Sequence, residues 1–121
     1  MTLARTFILV LSLIGLVVPA WADFQAGRDA AKRGDYTTAL REFRSQAKLG
    51  DAKAQWSLGM MYANGQGEPQ DYVQAHMWFS LAAANGVKRV AELRDALAKK
   101  MIPAKLAEAQ QLAREWKPKT P

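Results

Sequence analysis

The chain has 121 residues, with 17 Lys and Arg against 11 Asp and Glu for a formal net charge of +6, one histidine and no cysteine. The missing thiol excludes disulfides and a lipoprotein anchor, and the length suits one domain and leaves no room for a second. A basic balance favours anionic partners through long-range attraction but does not bear on the fold.

At the start of the chain, Arg5 precedes an apolar run from Phe7 to Leu11 that continues through Val18 to Pro19-Ala20-Trp21-Ala22. Ala20-x-Ala22 is the small-residue pattern of a signal-peptidase site, so residues 1–22 are expected to be a cleaved signal peptide. The run falls short of the ~20 apolar residues a membrane span needs. A bacterial periplasmic or secreted location is the expectation, with an uncleaved anchor as the alternative. No nucleic-acid partner is expected at that location.

Six helices are expected beyond it, at 23–33, 36–49, 52–64, 72–85, 88–100 and 103–117. Asp51 can cap the third by accepting from orphan N–H groups, and Ala54, Leu58, Met61 and Tyr62 then recur as one apolar face. Gly59 interrupts that face at a cost of about 1 kcal/mol relative to Ala, so it is expected to admit a closely packed partner helix. Asn64-Gly65-Gln66-Gly67-Glu68-Pro69 forces a tight loop, because the glycines permit positive φ and proline disfavours helix at the residue before it. Asp71 caps the fourth helix, which carries Ala75, Trp78, Phe79, Ala82 and Ala83 to a stop at Asn85-Gly86. In the fifth, Val90, Leu93, Leu97 and Met101 form a stripe flanked by Lys88, Arg89, Arg94, Lys99 and Lys100, and Pro103 suits the first position of the sixth. Residues 118–121 are expected to be a disordered tail.

The chain also repeats itself. Asp35, Tyr36, Ala39, Phe43, Ala47 and Gly50 recur as Asp71, Tyr72, Ala75, Phe79, Ala83 and Gly86, each 36 positions on. Gly27 stands 8 positions before Asp35 where Gly59 stands 12 before Asp71, so the first unit has a shorter inter-helix loop. Periods in this range signal an α-solenoid, whose units bury one another's apolar faces.

Leu58-Gly59-x-x-Tyr62-x-x-Gly65-x-Gly67-x-x-x-Asp71-x-x-x-Ala75-x-x-Trp78-x-x-x-Ala82-Ala83-x-x-Gly86 resembles the Sel1-like repeat, a relative of the tetratricopeptide repeat with a longer inter-helix loop. Residues 27–50 resemble a degenerate unit of the same kind, and 94–116 are similar to the closing segment of bacterial Sel1-like proteins. The expected fold is all-α, a right-handed α/α superhelix of about three helix-turn-helix units. The expected domain spans 23–117, with an abbreviated repeat at 23–50, a full repeat at 51–86 and a capping unit at 87–117. Two departures stand out. Glu68 replaces the apolar loop residue usual in the family, which predicts a looser loop; Ile102 and Lys105 deprive the last helix of its hydroxyl cap and capping box.

Chemistry is hard to build from these residues. His76 is the sole histidine, has no pair of acids at helical spacing, and is expected to be a half-exposed helix residue rather than a metal ligand. His76 and Ser80 stand at i and i+4 without an orienting acid. The chain is therefore expected to be no enzyme and to use no cofactor and no metal. The resemblance implies instead a protein-protein interaction adaptor whose first helices line a concave face, with Arg28, Lys32, Lys53, Trp56, Met60 and Asn64 as its protein-binding residues. Trp56 is either an exposed anchor or a packing residue against the neighbouring repeat. An acidic protein partner suits the charge. Weak contact of the basic C-terminal unit with an anionic membrane surface, and self-association through the N-terminal edge at Phe24, complete the candidate interactions. The alternatives are a structural part of an envelope complex acting through that C-terminal unit and, ranking lower, a cell-wall-modifying enzyme.

Overall fold

The computed structural model describes residues 20–120, and side chains from Phe24 onward. The signal-peptide reading of 1–22 falls almost wholly outside the described residues. Only Ala20–Ala22 are included, as the first turn of a helix.

The described residues form six helices: α1 (Ala20–Lys32), α2 (Tyr36–Lys48), α3 (Ala52–Asn64), α4 (Tyr72–Ala84), α5 (Val90–Ala98) and α6 (Pro103–Glu115). Each of α1 to α4 packs on its neighbour in sequence, giving an all-α solenoid. None of these helices is long and apolar enough to cross a membrane.

Local chemistry explains the helix boundaries. Asp35, Asp51 and Asp71 accept from the N–H groups of Thr38, Ala54 and Gln74 at 3.2, 2.8 and 3.0 Å, satisfying orphan donors at three helix starts. Gly65 ends α3 in the left-handed region at φ 67°. Helix α5 begins two residues later than the spacing suggests because Arg89 itself sits at φ 68° and breaks the helical path.

Packing turns on two glycines. A Cβ built on Gly59 would lie 2.6 Å from the Phe79 ring, and one on Gly27 would lie 2.7 Å from Phe43. Phe43 and Phe79 are repeat equivalents, so each unit closes by pressing a phenyl ring onto a bare stretch of helix. Both rings are buried in a core that runs from Ala30 to Leu97. Gln55 adds a polar tie within that core: its Nε2 donates to the Ala47 carbonyl at 3.2 Å, and its Oε1 accepts from Asn85 Nδ2 at 3.0 Å.

The loop after α3 does not show the expected slackness. Asp71 N–H donates to the Tyr62 carbonyl at 3.0 Å and Gln70 Nε2 to the Ala63 carbonyl at 2.8 Å. Gly67, at φ 80°, passes so close to α2 that a Cβ would meet the Tyr36 carbonyl at 2.7 Å. Glu68 takes up an ion pair with Arg44 at 3.5 Å, and Arg44 also donates to the Tyr62 hydroxyl at 2.8 Å. An acid thus replaces the apolar plug by cross-linking the loop to α2.

Two features of the last unit differ from expectation. Helices α5 and α6 pack chiefly on α4 rather than on each other, because α4 presents apolar side chains nearly all round: Ala75, Met77, Trp78, Phe79, Leu81 and Ala82 are all buried. The tail, expected to be disordered over 118–121, lies against α2 as far as it is described. Lys119 N–H donates to the Lys48 carbonyl at 2.7 Å, one of the orphan acceptors at the end of that helix. Trp116 anchors the approach to the tail through an edge-on contact with Trp78, ring centroids 6.1 Å apart.

Candidate protein-binding groove

The odd-numbered helices share a surface that carries two adjoining depressions. Arg28, Ala31 and Lys32 from α1 face Trp56, Ser57 and Met60 from α3 across the first, with Phe43 beneath, in a volume of about 330 Å³. Met60, Ala63 and Asn64 from α3 face Leu93, Ala96 and Leu97 from α5, and Lys100 just past its end, across the second, about 210 Å³, with Phe79 beneath. The same glycine-phenyl device that closes each unit therefore supplies the floor of each depression, and Met60 belongs to both.

Of the six residues singled out from sequence, Arg28, Lys32, Trp56 and Met60 come together in the first depression and Asn64 in the second. Lys53 is exposed and lines neither. Trp56 is 40 % exposed and stands at the rim of the first depression, beside Arg28, Ala31 and Lys32 of the neighbouring helix. Sequence reasoning missed Leu93, Ala96 and Lys100. By spacing Leu93 belongs to the capping stripe with Val90 and Leu97, yet it is 41 % exposed. Those two are buried, seven residues apart, and Leu93 at i+3 turns toward Met60 instead. The signal available was its position one unit on from the residues of α3 that line the groove.

The charges are one-sided. Arg28 and Lys32 border the first depression and Lys100 the second, and among the described residues no carboxylate lines either. A half-exposed Trp beside Met, over apolar floors and with cations at the border, has the composition of an interface hot spot. Methionine adds adaptability, since its unbranched thioether fits differing shapes.

The histidine lies elsewhere, and its expected half-exposure is wrong. His76 is 4 % exposed, held between α4, α5 and α6 in a hollow shared with Ser80, Arg94, Asp95, Leu106 and Gln110. Burial pushes its pKa below the usual value, Arg94 pushes the same way, and Asp95 opposes them. Ser80 Oγ donates to the His76 carbonyl at 2.9 Å and stands 3.5 Å from its Nδ1, while Asp95 is engaged by Arg94 Nε at 3.0 Å. The hydroxyl is thus committed to its own helix and the acid to the guanidinium, an arrangement suited to packing rather than to activating a nucleophile. Among the described residues no group of three His, Cys, Asp or Glu could hold a metal ion.

Residues 52–87 match the family model for the Sel1 repeat. The chain is 35 % identical over 65 residues to an exopolysaccharide production negative regulator of Rhizobium leguminosarum bv. viciae, covering 54 % of this chain and 24 % of that protein. It is 39 % identical over 49 residues to DAP3-binding cell death enhancer 1 of rat and of mouse, covering 40 % of this chain and 10 % of each. Among solved structures, a protective antigen present in uropathogenic Escherichia coli strains and displaying an SLR fold superposes with a TM-score of 0.75 at 32 % identity, covering 81 % of this chain and 22 % of that one. The matched regions thus span about a quarter or less of these relatives' own lengths.

Proposed function

Because the chain belongs to the Sel1-like repeat family, whose members are in general protein-protein interaction adaptors, we propose that it is a non-catalytic adaptor holding a protein segment in the groove centred on Trp56 and Met60. The observation that carries this reading is the convergence of Arg28, Lys32, Trp56 and Met60 on one apolar depression with a cationic border. The second depression extends the groove past Asn64 to Leu93 and Lys100, so the proposed occupant is an acidic segment with an apolar side chain for each hollow. One relative is named for binding DAP3, which supports a protein as the ligand class. The proposed location is periplasmic or secreted, supported by the leader-like composition of 1–22.

The test is selection of displayed random peptides against the wild-type protein, followed by affinity measurement on a Trp56→Ala/Met60→Ala variant checked for helicity by circular dichroism. Peptides rich in aromatic, aliphatic and acidic residues whose affinity falls more than about tenfold in the variant, or 1.4 kcal/mol, support the groove. Equal affinity for both proteins removes it.

A second reading, assembly through the C-terminal unit, is favoured by one observation. Ile102 is 63 % exposed beside Lys100 and Lys105, over a hollow formed with Tyr72, Val73 and Met101. An Ile102→Ser variant that loses envelope association while retaining groove peptides would favour it.

A further inference from the structure

The described cations are not spread evenly. Arg41, Arg44, Ser45 and Lys48 fall at i, i+3, i+4 and i+7 of α2 and share the face turned away from Phe43. The tail brings Lys119 and Thr120 across the end of that helix, and together these residues surround a hollow of about 390 Å³. Four cations and two hydroxyls line it, and among the described residues no carboxylate does.

Ordinary surface pairing does not account for the arrangement. Arg41 meets Glu42 and Arg44 meets Glu68, each at 3.5 Å between partly exposed groups, a kind of pair worth little in water. Among the described residues neither Lys48 nor Lys119 has a carboxylate within ion-pair distance. The dipole of α2 explains a cation in its last turn, which is Lys48, but not Arg41 two turns earlier nor a lysine delivered from the far end of the chain. Arg44 is held in place by its bond to the Tyr62 hydroxyl, so its guanidinium fork is oriented before any ligand arrives.

We propose that this hollow binds a phosphate-type oxyanion carrying two or more negative charges, with Arg44 as its oriented contact, Arg41 and Lys48 beside it on α2, and Lys119 as a closing cation. Its volume suits a small anionic group rather than a helix or strand of a partner. Phosphate on a soluble metabolite and phosphate in a lipid headgroup offer the same chemistry to these side chains. Ser45 and Thr120 add hydroxyl donors to the oxyanion oxygens.

The test is titration of the protein, purified after expression of the full chain, with sodium pyrophosphate, followed by amide NMR shifts and calorimetry at two salt concentrations. Saturable shifts are expected at Ser45, Leu49, Lys119 and Thr120, with affinity lowered by higher salt. Affinity should fall about tenfold or more in Arg41→Gln/Lys48→Gln and several-fold in Lys119→Gln. It should hold in Arg33→Gln/Arg114→Gln, which removes the same charge elsewhere. Absence of saturation at millimolar pyrophosphate, or an equal loss in the control variant, overturns the site. Phosphatidic acid vesicles, whose headgroup is a phosphomonoester, and phosphatidylcholine vesicles then identify the source: if only the former compete with pyrophosphate, the ligand is a headgroup; without competition from either, it is a soluble phosphate compound.

Discussion

The unit formed by α3 and α4 and the unit formed by α5 and α6 are both helix-turn-helix, yet they are held by different means. In the first, both helices start at an aspartate cap, the loop is tied by backbone bonds, and Gly59 takes the Phe79 ring into direct contact. In the second, neither helix has a side-chain cap, Arg89 carries an unfavourable positive φ, and both helices lean on α4, with Val90 and Leu97 in the shared core and Trp116, just past α6, against Trp78. A repeat rich in local signals can define its own geometry. A terminal unit without them takes its geometry from the surface it covers, which is why terminal repeats depart from the consensus.

The sharpest way to break the contrast is Gly59→Val. Its Cβ would collide with the Phe79 ring and lie 3.3 Å from the Ala75 carbonyl, a backbone atom that cannot step aside, so a loss of about 3 kcal/mol is expected in urea unfolding. Gly27→Val should cost less, about 1–2 kcal/mol, since only the Phe43 side chain must yield and it borders an open depression.

Next in size is the pH response of the contact between α4 and the last unit. His76 has a folded pKa below its ordinary 6.5, so both states are neutral above that value and stability is complete there. As pH falls through 6.5 the unfolded chain takes the proton first, and stability declines until the folded pKa is passed. One proton limits the slope to about 1.4 kcal/mol per pH unit. Thermal melts between pH 8 and 5 should therefore fall for the wild type and lie nearly flat for His76→Gln.

Capping should give effects of opposite sign in the two units. Asp71→Ala removes a formed cap and should cost about 1 kcal/mol, whereas Ile102→Ser supplies a missing one and should gain up to about the same. The smallest change expected is Arg89→Gly. Relief of the left-handed conformation should raise stability by a few tenths to about 1 kcal/mol, partly offset by greater freedom of the unfolded chain. A loss on Arg89→Gly would mean that its side chain holds α5 in place.

Much of this was legible before any coordinates. Helix order, the caps at Asp51 and Asp71, the turn glycines and the use of Gly59 depend on interactions within a few residues or on a spacing that repeats. Five of the groove residues were legible for the same reason, because a repeat presents equivalent positions of its first helix to one side. The misreadings share a different cause. One face of α4 taken alone suggests a half-exposed His76, yet Leu81 and Ala82 continue the apolar surface right round that helix and mark its central position. Leu93 and the tail depend on where α5 and residues 116–120 dock, and no local pattern encodes that.

By itself, the sequence determined what short-range chemistry can specify: six helices, their ends, a 36-residue periodicity and an all-α solenoid. Only the tertiary structure decided that α5 and α6 both rest on α4, that Trp56 stands at a rim, that Glu68 is paired with Arg44, and that Lys119 meets the end of α2 some 70 residues upstream. The physical reason is range. Caps, turns and helical periodicity act over a few bonds, while docking of an uncapped helix or a tail is settled by the buried area and free acceptors that distant segments offer.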